Sequence, residues 1–154
     1  MIAVAALGLA TLGVGAVYGT DMFFAVVGRR ALGLVSNAAM VETMGRLHEV
    51  GDRRMPLFGV IGLGGTLAGA LASTGSARLW ASGALLAQLA WLAIYIRVAA
   101  PINAQLARAA HAPTSSPDGR ALQDRWDRAI VLRAALMAIA LGALLFALGA
   151  RAAG

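Results

Sequence analysis

Four long apolar runs constrain this chain more than any other feature of its sequence. They cover about residues 1–27, 57–73, 77–100 and 129–150. The hydrocarbon core of a bilayer takes roughly 17–25 helical residues to cross, so each run is long enough to span it. A spanning helix also satisfies its own backbone hydrogen bonds inside lipid. We therefore predict an all-α fold, a four-transmembrane-helix bundle that forms one integral membrane domain over residues 1–154.

The composition of the chain supports a lipid-facing exterior. Hydrophobic residues make up 60% of the chain and charged residues 13%, whereas soluble domains are roughly 45–50% apolar and about 25% charged. We expect the lipid bilayer as a partner, and the net charge of +6 favours anionic headgroups over nucleic acid.

Gly65 and Gly69 in the second run form a small-xxx-small pattern. If the protein is a homo-oligomer, we expect the subunit contact there.

Two polar segments connect the runs. In residues 31–50, apolar and polar side chains recur at helical spacing, which predicts an amphipathic interfacial helix between spans one and two, or a polar continuation folded over the bundle. The Pro- and Ser-containing stretch 111–119 predicts a flexible exposed loop. Eleven of the 13 arginines lie on the side that carries both segments. The positive-inside rule then predicts a multi-pass cell-membrane protein with both segments in the cytoplasm and both termini outside.

The acidic residue Asp21 lies about two turns from the end of the first run. An ionisable group at such depth faces the bundle interior and has a partner. That partner is either an arginine such as Arg97 or a bound ligand. Pro101 is expected to kink or end the third helix, and the amide of Asn103 is a candidate donor in the opening that results.

The densest polar stretch surrounds His48. One interpretation makes His48 a general base oriented by Glu49 or Asp52. The other is a salt-bridged surface built from i,i+4 pairs. Those pairs are Glu42 with Arg46, His48 with Asp52, and Glu49 with Arg53. His111 in the later loop is expected to be exposed and inert.

A third polar group precedes the fourth run and contains Arg125, Trp126 and Arg128. It is typical of an interfacial belt that holds a helix end at the headgroups. The sequence has no HExxH, paired histidine or cysteine spacing for a metal. We expect no cofactor, with haem or a copper or iron ion on His48 as the alternative.

Three sequence elements resemble the DUF1772 family, which is also called anthrone-oxygenase-like. They are Tyr18-Gly-Thr-Asp21-x-Phe-Phe, Met44-Gly-Arg-Leu-His48 followed by Gly-Asp52-Arg-Arg-Met-Pro56, and Pro101-Ile-Asn103 followed by Arg125-Trp126-Asp-Arg128. The resemblance covers nearly the whole chain and implies a small four-span membrane protein. Some relatives in that family oxidise polyketide anthrones to anthraquinones.

The resemblance implies an oxygenase that oxidises an apolar aromatic molecule, anthrone- or quinol-like, with O2. In that reading His48 is the base, and Asn103, Arg97 and Arg125 stabilise the enolate oxygen. The substrate-binding residues are then Asp21, Phe24, Trp91, Tyr95, Trp126 and Arg128. The alternatives are a non-catalytic membrane module that binds a lipid, a quinone or a partner protein, and a transporter or channel. An enclosed apolar cavity favours the enzyme, and mutual pairing of the polar groups favours the module.

Overall fold

The computed structural model describes residues 1–112 and 117–152 of the protein. These residues form seven α-helices and two short π-helical turns, without strands. The α-helices are α1 (Ile2–Phe23), α2 (Arg29–Gly33), α3 (Asn37–Arg54), α4 (Pro56–Ala72), α5 (Gly75–Ile94), α6 (Ala100–Ala109) and α7 (Gly119–Ala152). The π turns are Phe24–Gly28, which joins α1 to α2, and Tyr95–Ala99, which joins α5 to α6.

Three helical paths are long and apolar enough to cross a membrane. They are Ile2–Gly33, Gly75–Ala109 and Gly119–Arg151. A fourth span results if α3 and α4, which meet at a bend of 43°, are counted as one. The all-helical prediction is confirmed, and the three to four candidate spans agree with a multi-pass membrane protein.

Helix boundaries differ from those of the apolar runs. The amphipathic helix α3 covers residues 37–54 rather than 31–50, because Ser36 begins it: the Ser36 hydroxyl accepts a hydrogen bond from the backbone N–H of Ala39 at 3.2 Å. Pro101 lies in the first turn of α6, directly after a π turn, where a missing N–H costs little. The third helix therefore continues past Pro101 to residue 109. Residues 113–116 of the predicted loop 111–119 lie outside the described residues.

Glycines bring α1 and α4 into close contact. A Cβ on Gly13 would lie 2.6 Å from the backbone nitrogen of Gly62, and a Cβ on Gly65 would lie 2.9 Å from that of Ala10. Gly69 packs against the side chain of Leu7. Gly65 and Gly69 therefore pack against α1 of the same chain, and the subunit contact predicted at these two glycines is wrong. The homo-oligomer itself stays a prediction.

Helix α3 lies against α6, and the two helices share an apolar core. Gly45 allows this approach, since a Cβ there would lie 2.4 Å from the carbonyl oxygen of Leu106. Met40, Met44 and Leu106 are buried in this core. A separate apolar core packs α1, α5 and α7 together and includes Trp91, whereas Trp126 belongs to the core of α3 and α6.

Candidate functional site

A buried ion pair joins the first and last helices. One carboxylate oxygen of Asp21 accepts a hydrogen bond from Arg133 Nη2 at 2.8 Å, and the other accepts one from Trp91 Nε1 at 2.7 Å. Asp21 is 2% exposed and Arg133 is 7% exposed. Because removing two charges from water is costly, each of these groups depends on the other for compensation.

The Arg133 guanidinium also lies against two aromatic rings. Its Cζ is 5.1 Å from the ring centroid of Trp91 and 5.4 Å from that of Tyr95. The two rings stack on each other with centroids 5.8 Å apart and planes 6° from parallel. Contacts of a desolvated cation with ring faces are attractive, so these rings help to hold the charge of Arg133 in an apolar setting.

A second acid, Asp52 of α3, extends the network to α6 and α7. Its Oδ1 accepts hydrogen bonds from the Tyr95 hydroxyl at 3.0 Å and from Asn103 Nδ2 at 3.0 Å. Trp126 Nε1 donates to Asn103 Oδ1 at 2.9 Å. Both polar ends of the Asn103 amide are therefore used, and the amide position is fixed from two sides.

His48 lies one helical turn before Asp52 and faces the same interior. Its ring centroid is 5.3 Å from that of Trp126, whose other neighbour is the ring of Phe24 at 5.4 Å. His48 is 8% exposed, and its Nε2 has no hydrogen-bond partner among the described residues. Arg133 Nε is likewise buried and has no hydrogen-bond partner among the described residues. Unsatisfied buried polar atoms are uncommon in proteins and call for an explanation.

These residues form one group, which we call the polar cluster. Its members are Asp21, His48, Asp52, Trp91, Tyr95, Asn103, Trp126 and Arg133. Both π turns adjoin it, since one begins three residues after Asp21 and the other begins at Tyr95 itself. Isolated π turns within helices are frequent at functional sites, so their position here marks the polar cluster as the candidate site.

Most of the residues predicted for the site come together here. His48, Asn103, Asp21, Trp91, Tyr95 and Trp126 are members of the polar cluster, and Phe24 packs on Trp126. Arg97, Arg125 and Arg128 do not join them, because all three side chains are exposed. Asp21 pairs with an arginine, as one of the two interpretations predicts, but that arginine is Arg133 rather than the suggested Arg97. Arg97 lies two residues after Tyr95 and so points to roughly the opposite side of the helix.

Arg133 is the member that sequence reasoning did not place in the site, and Asp52 is predicted there only as a residue that orients His48. A signal for Arg133 does exist: it lies four residues inside the fourth apolar run, where a charge requires a buried partner. Asp21 is the acid at matching depth in the first run. Asp52 carried no comparable signal, because an i,i+4 pair with His48 explained it equally well.

The salt-bridged surface predicted on α3 is only partly present. Glu49 pairs with Arg53 at 3.4 Å, as the spacing predicts. Arg46 contacts Glu49 at 3.5 Å rather than forming the predicted pair with Glu42, and Asp52 binds Tyr95 and Asn103 rather than His48. His111 is exposed as predicted, and its Nε2 lies 3.1 Å from a carboxylate oxygen of Glu49.

One small cavity adjoins the polar cluster at Trp91. A cavity of about 10 Å³ lies between α1, α4 and α5, where Gln88 and Trp91 are among its lining residues. This is close to the volume that one water occupies. Within residues 1–112 and 117–152, no three His, Asp or Glu side chains gather as a metal site would require.

The chain matches no protein-family model, no curated protein and no solved structure. The likeness to the DUF1772 family stays an expectation based on the sequence elements quoted above. The polar cluster is therefore interpreted from its own residues and their chemistry.

Proposed function

We propose that this protein is a membrane-embedded oxygenase that binds an apolar, anthrone- or quinol-like molecule beside His48 and oxidises it with O2. The observation that carries the proposal is the buried, unpartnered Nε2 of His48 within the polar cluster that also contains the buried Arg133. A hydroxyl or enolate oxygen of a bound ligand would satisfy the buried donors and acceptors left open there. The neighbouring rings of Phe24, Tyr95 and Trp126 suit an aromatic ligand.

The reaction of an anthrone can be written with these residues. His48 accepts a proton from the ring methylene, and the positive charge of Arg133 stabilises the enolate oxygen that results. The enolate carbon reacts with O2 to form a C–O bond, and protonation gives a hydroperoxide. Loss of water then breaks the O–O bond and leaves the second carbonyl. One anthrone and one O2 thus give one anthraquinone and one water, without an added reductant.

In this mechanism Arg133 takes the role that the sequence predicts for Arg97 and Arg125. Arg133 is buried within the polar cluster, whereas the other two face outward. Asn103 becomes a positioning residue, because its amide already binds Asp52 and Trp126.

Substrate entry requires α3 to move, since this helix carries His48 and Asp52 over the cluster. The 43° bend between α3 and α4 is the natural hinge.

Turnover of a hydroxylated anthrone by the protein in lipid nanodiscs tests this proposal. Loss of anthrone and uptake of O2 are followed together, with wild type, His48→Gln and His111→Gln compared. General-base catalysis contributes roughly 10²–10⁴-fold, so we expect His48→Gln to lower the rate at least about a hundredfold. His111→Gln, a matched control in the second histidine, should leave the rate within about twofold. Equal rates for wild type and His48→Gln would disprove the mechanism.

A non-catalytic membrane module is the second candidate, and a specific observation favours it. Most polar atoms of the cluster are paired with one another, and the cavity beside it holds about one water. In this reading the cluster fixes the helix packing and binds a quinone or lipid at most weakly. Organic extraction of purified protein followed by mass spectrometry would reveal such a ligand, and no anthrone turnover would accompany it.

The orientation in the membrane is also a proposal. Eleven arginines lie on the side of the membrane that carries α3 and the α6–α7 connection, and two lie on the other side. The positive-inside rule places the former side in the cytoplasm and both chain termini outside. The polar cluster then lies toward the cytoplasmic face of a four-span bundle.

A further inference from the structure

A depression of about 430 Å³ opens on the surface between α6 and the start of α7. Six residues line it: Gln105, Arg108, Asp118, Ala121, Leu122 and Arg125. We call it the arginine depression. Arg108 lies at the end of one candidate membrane span and Arg125 lies near the start of the next. The arginine depression is therefore at the depth of lipid headgroups and lies apart from the polar cluster.

The two arginines of this depression have unused binding capacity. Both side chains are exposed, and neither has an ion-pair or hydrogen-bond partner within residues 1–112 and 117–152. By contrast, Arg120 nearby donates to the backbone carbonyl oxygens of Leu32 and Val35, and so serves the fold. A guanidinium presents a planar set of donors that suits phosphate oxygens in bidentate contacts.

The remaining lining residues suit the other parts of a lipid molecule. Ala121 and Leu122 supply apolar surface, and Gln105 supplies an amide whose nitrogen already donates to the Pro101 carbonyl oxygen. The single acid, Asp118, leaves the depression with a net positive charge. Positive charge, apolar surface and interfacial depth together match a phosphate headgroup with its glycerol attached.

We propose that the arginine depression is a binding site for the phosphate of an anionic phospholipid, held between Arg108 and Arg125. This assignment gives Arg125 a role outside the polar cluster, and it does not depend on the oxygenase proposal. The arginines bind the phosphodiester, and Leu122 with Ala121 contacts the glycerol region. Occupancy would also brace the end of α6 against the start of α7.

Native mass spectrometry of the full chain in detergent, titrated with phosphatidylglycerol or phosphatidylcholine, tests the site. We expect tighter binding of phosphatidylglycerol by wild type. The double variant Arg108→Gln/Arg125→Gln should lower that affinity about tenfold or more, with each single variant intermediate. The side chains of Arg108 and Arg125 are exposed, as are those of Arg30 and Arg54, which are replaced in the control below. A thermal scan verifies that each variant is folded.

The matched control is Arg30→Gln/Arg54→Gln, which removes the same charge elsewhere on the same membrane side. We expect this control to weaken phosphatidylglycerol binding less than about threefold, because distant exposed charges are screened. An equal loss in both double variants would overturn the site in favour of unspecific attraction. So would an unchanged affinity in Arg108→Gln/Arg125→Gln. Displacement of the lipid by millimolar inorganic phosphate would instead assign the depression to free phosphate and overturn the lipid proposal.

Discussion

At the scale of single residues, the polar cluster combines hydrogen-bonded groups with groups that have no partner. Asp21 and Arg133 neutralise each other, and Asp52 is bonded by Tyr95 and Asn103. His48 Nε2 and Arg133 Nε remain open among the described residues. A purely structural network gains nothing from two unsatisfied buried nitrogens. Two open nitrogens within one buried cluster favour a ligand site over a purely structural network.

The Asp21–Arg133 pair leads to a stability prediction. Replacing Arg133 by Gln leaves the Asp21 carboxylate buried without compensation, and such losses cost about 3–5 kcal/mol. The double variant Asp21→Asn/Arg133→Gln removes both charges and should recover most of that free energy. Unfolding of the three proteins in detergent, followed by circular dichroism, measures the differences. If the double variant were no more stable than Arg133→Gln alone, the two charges would not be coupled as described.

At the scale of helices, small residues decide which elements can approach closely. Gly13 lets α1 reach the backbone of α4, and Gly45 lets α3 reach α6. The π turns act differently, because each changes the register of the helix faces that follow it. Together these features bring the outer helix α3 over the polar cluster and set which side chains of the third helix point inward.

Paired glycine substitutions test the contact of α1 with α4. A Cβ at Gly13 would lie 2.7 Å from the Phe58 carbonyl oxygen, whereas a Cβ at Gly15 meets no atom within 4 Å. We expect Gly13→Ala to destabilise the protein by about 1–3 kcal/mol, as overpacking typically does. Gly15→Ala, on the same helix, should be neutral or stabilising by up to about 1 kcal/mol. Chemical unfolding in detergent measures both, and equal stabilities would contradict this packing.

At the scale of the whole molecule, the sequence predicts much of the fold and most members of the polar cluster, but not how those members pair. Long apolar runs and the polar segment around His48 can be recognised in the sequence, because helices inside lipid must be apolar and segments in water must be polar. The sequence could not distinguish Arg97 from Arg133 as the partner of Asp21. One residue of helix turns a side chain by about 100°, so the arginine that faces Asp21 is decided by how the helices pack against each other. The folding of α3 onto α6 depends on Gly45, whose long-range contact no local pattern reveals.

The orientation of the whole molecule can be tested because the chain has no cysteine. Ser76→Cys lies in the first turn of α5, next to the short connection from α4, and Ala112→Cys lies just after α6. Both positions are exposed. The positive-inside rule predicts that a membrane-impermeant maleimide labels Ser76→Cys on intact cells and labels Ala112→Cys only after lysis. The reverse pattern would show that the molecule is inverted.

The most direct test of the central claim, that the polar cluster is a ligand-binding site, uses the two histidines of the chain. Nuclear magnetic resonance of the protein with ¹⁵N-labelled histidine would follow both imidazoles during titration with a hydroxylated anthrone, with His111→Gln used to assign the signals. We predict that the His48 signal shifts and saturates while the His111 signal stays in place, because the ligand engages the open His48 Nε2. An unmoved His48 signal at saturating anthrone would contradict the account and leave the polar cluster with a purely structural role.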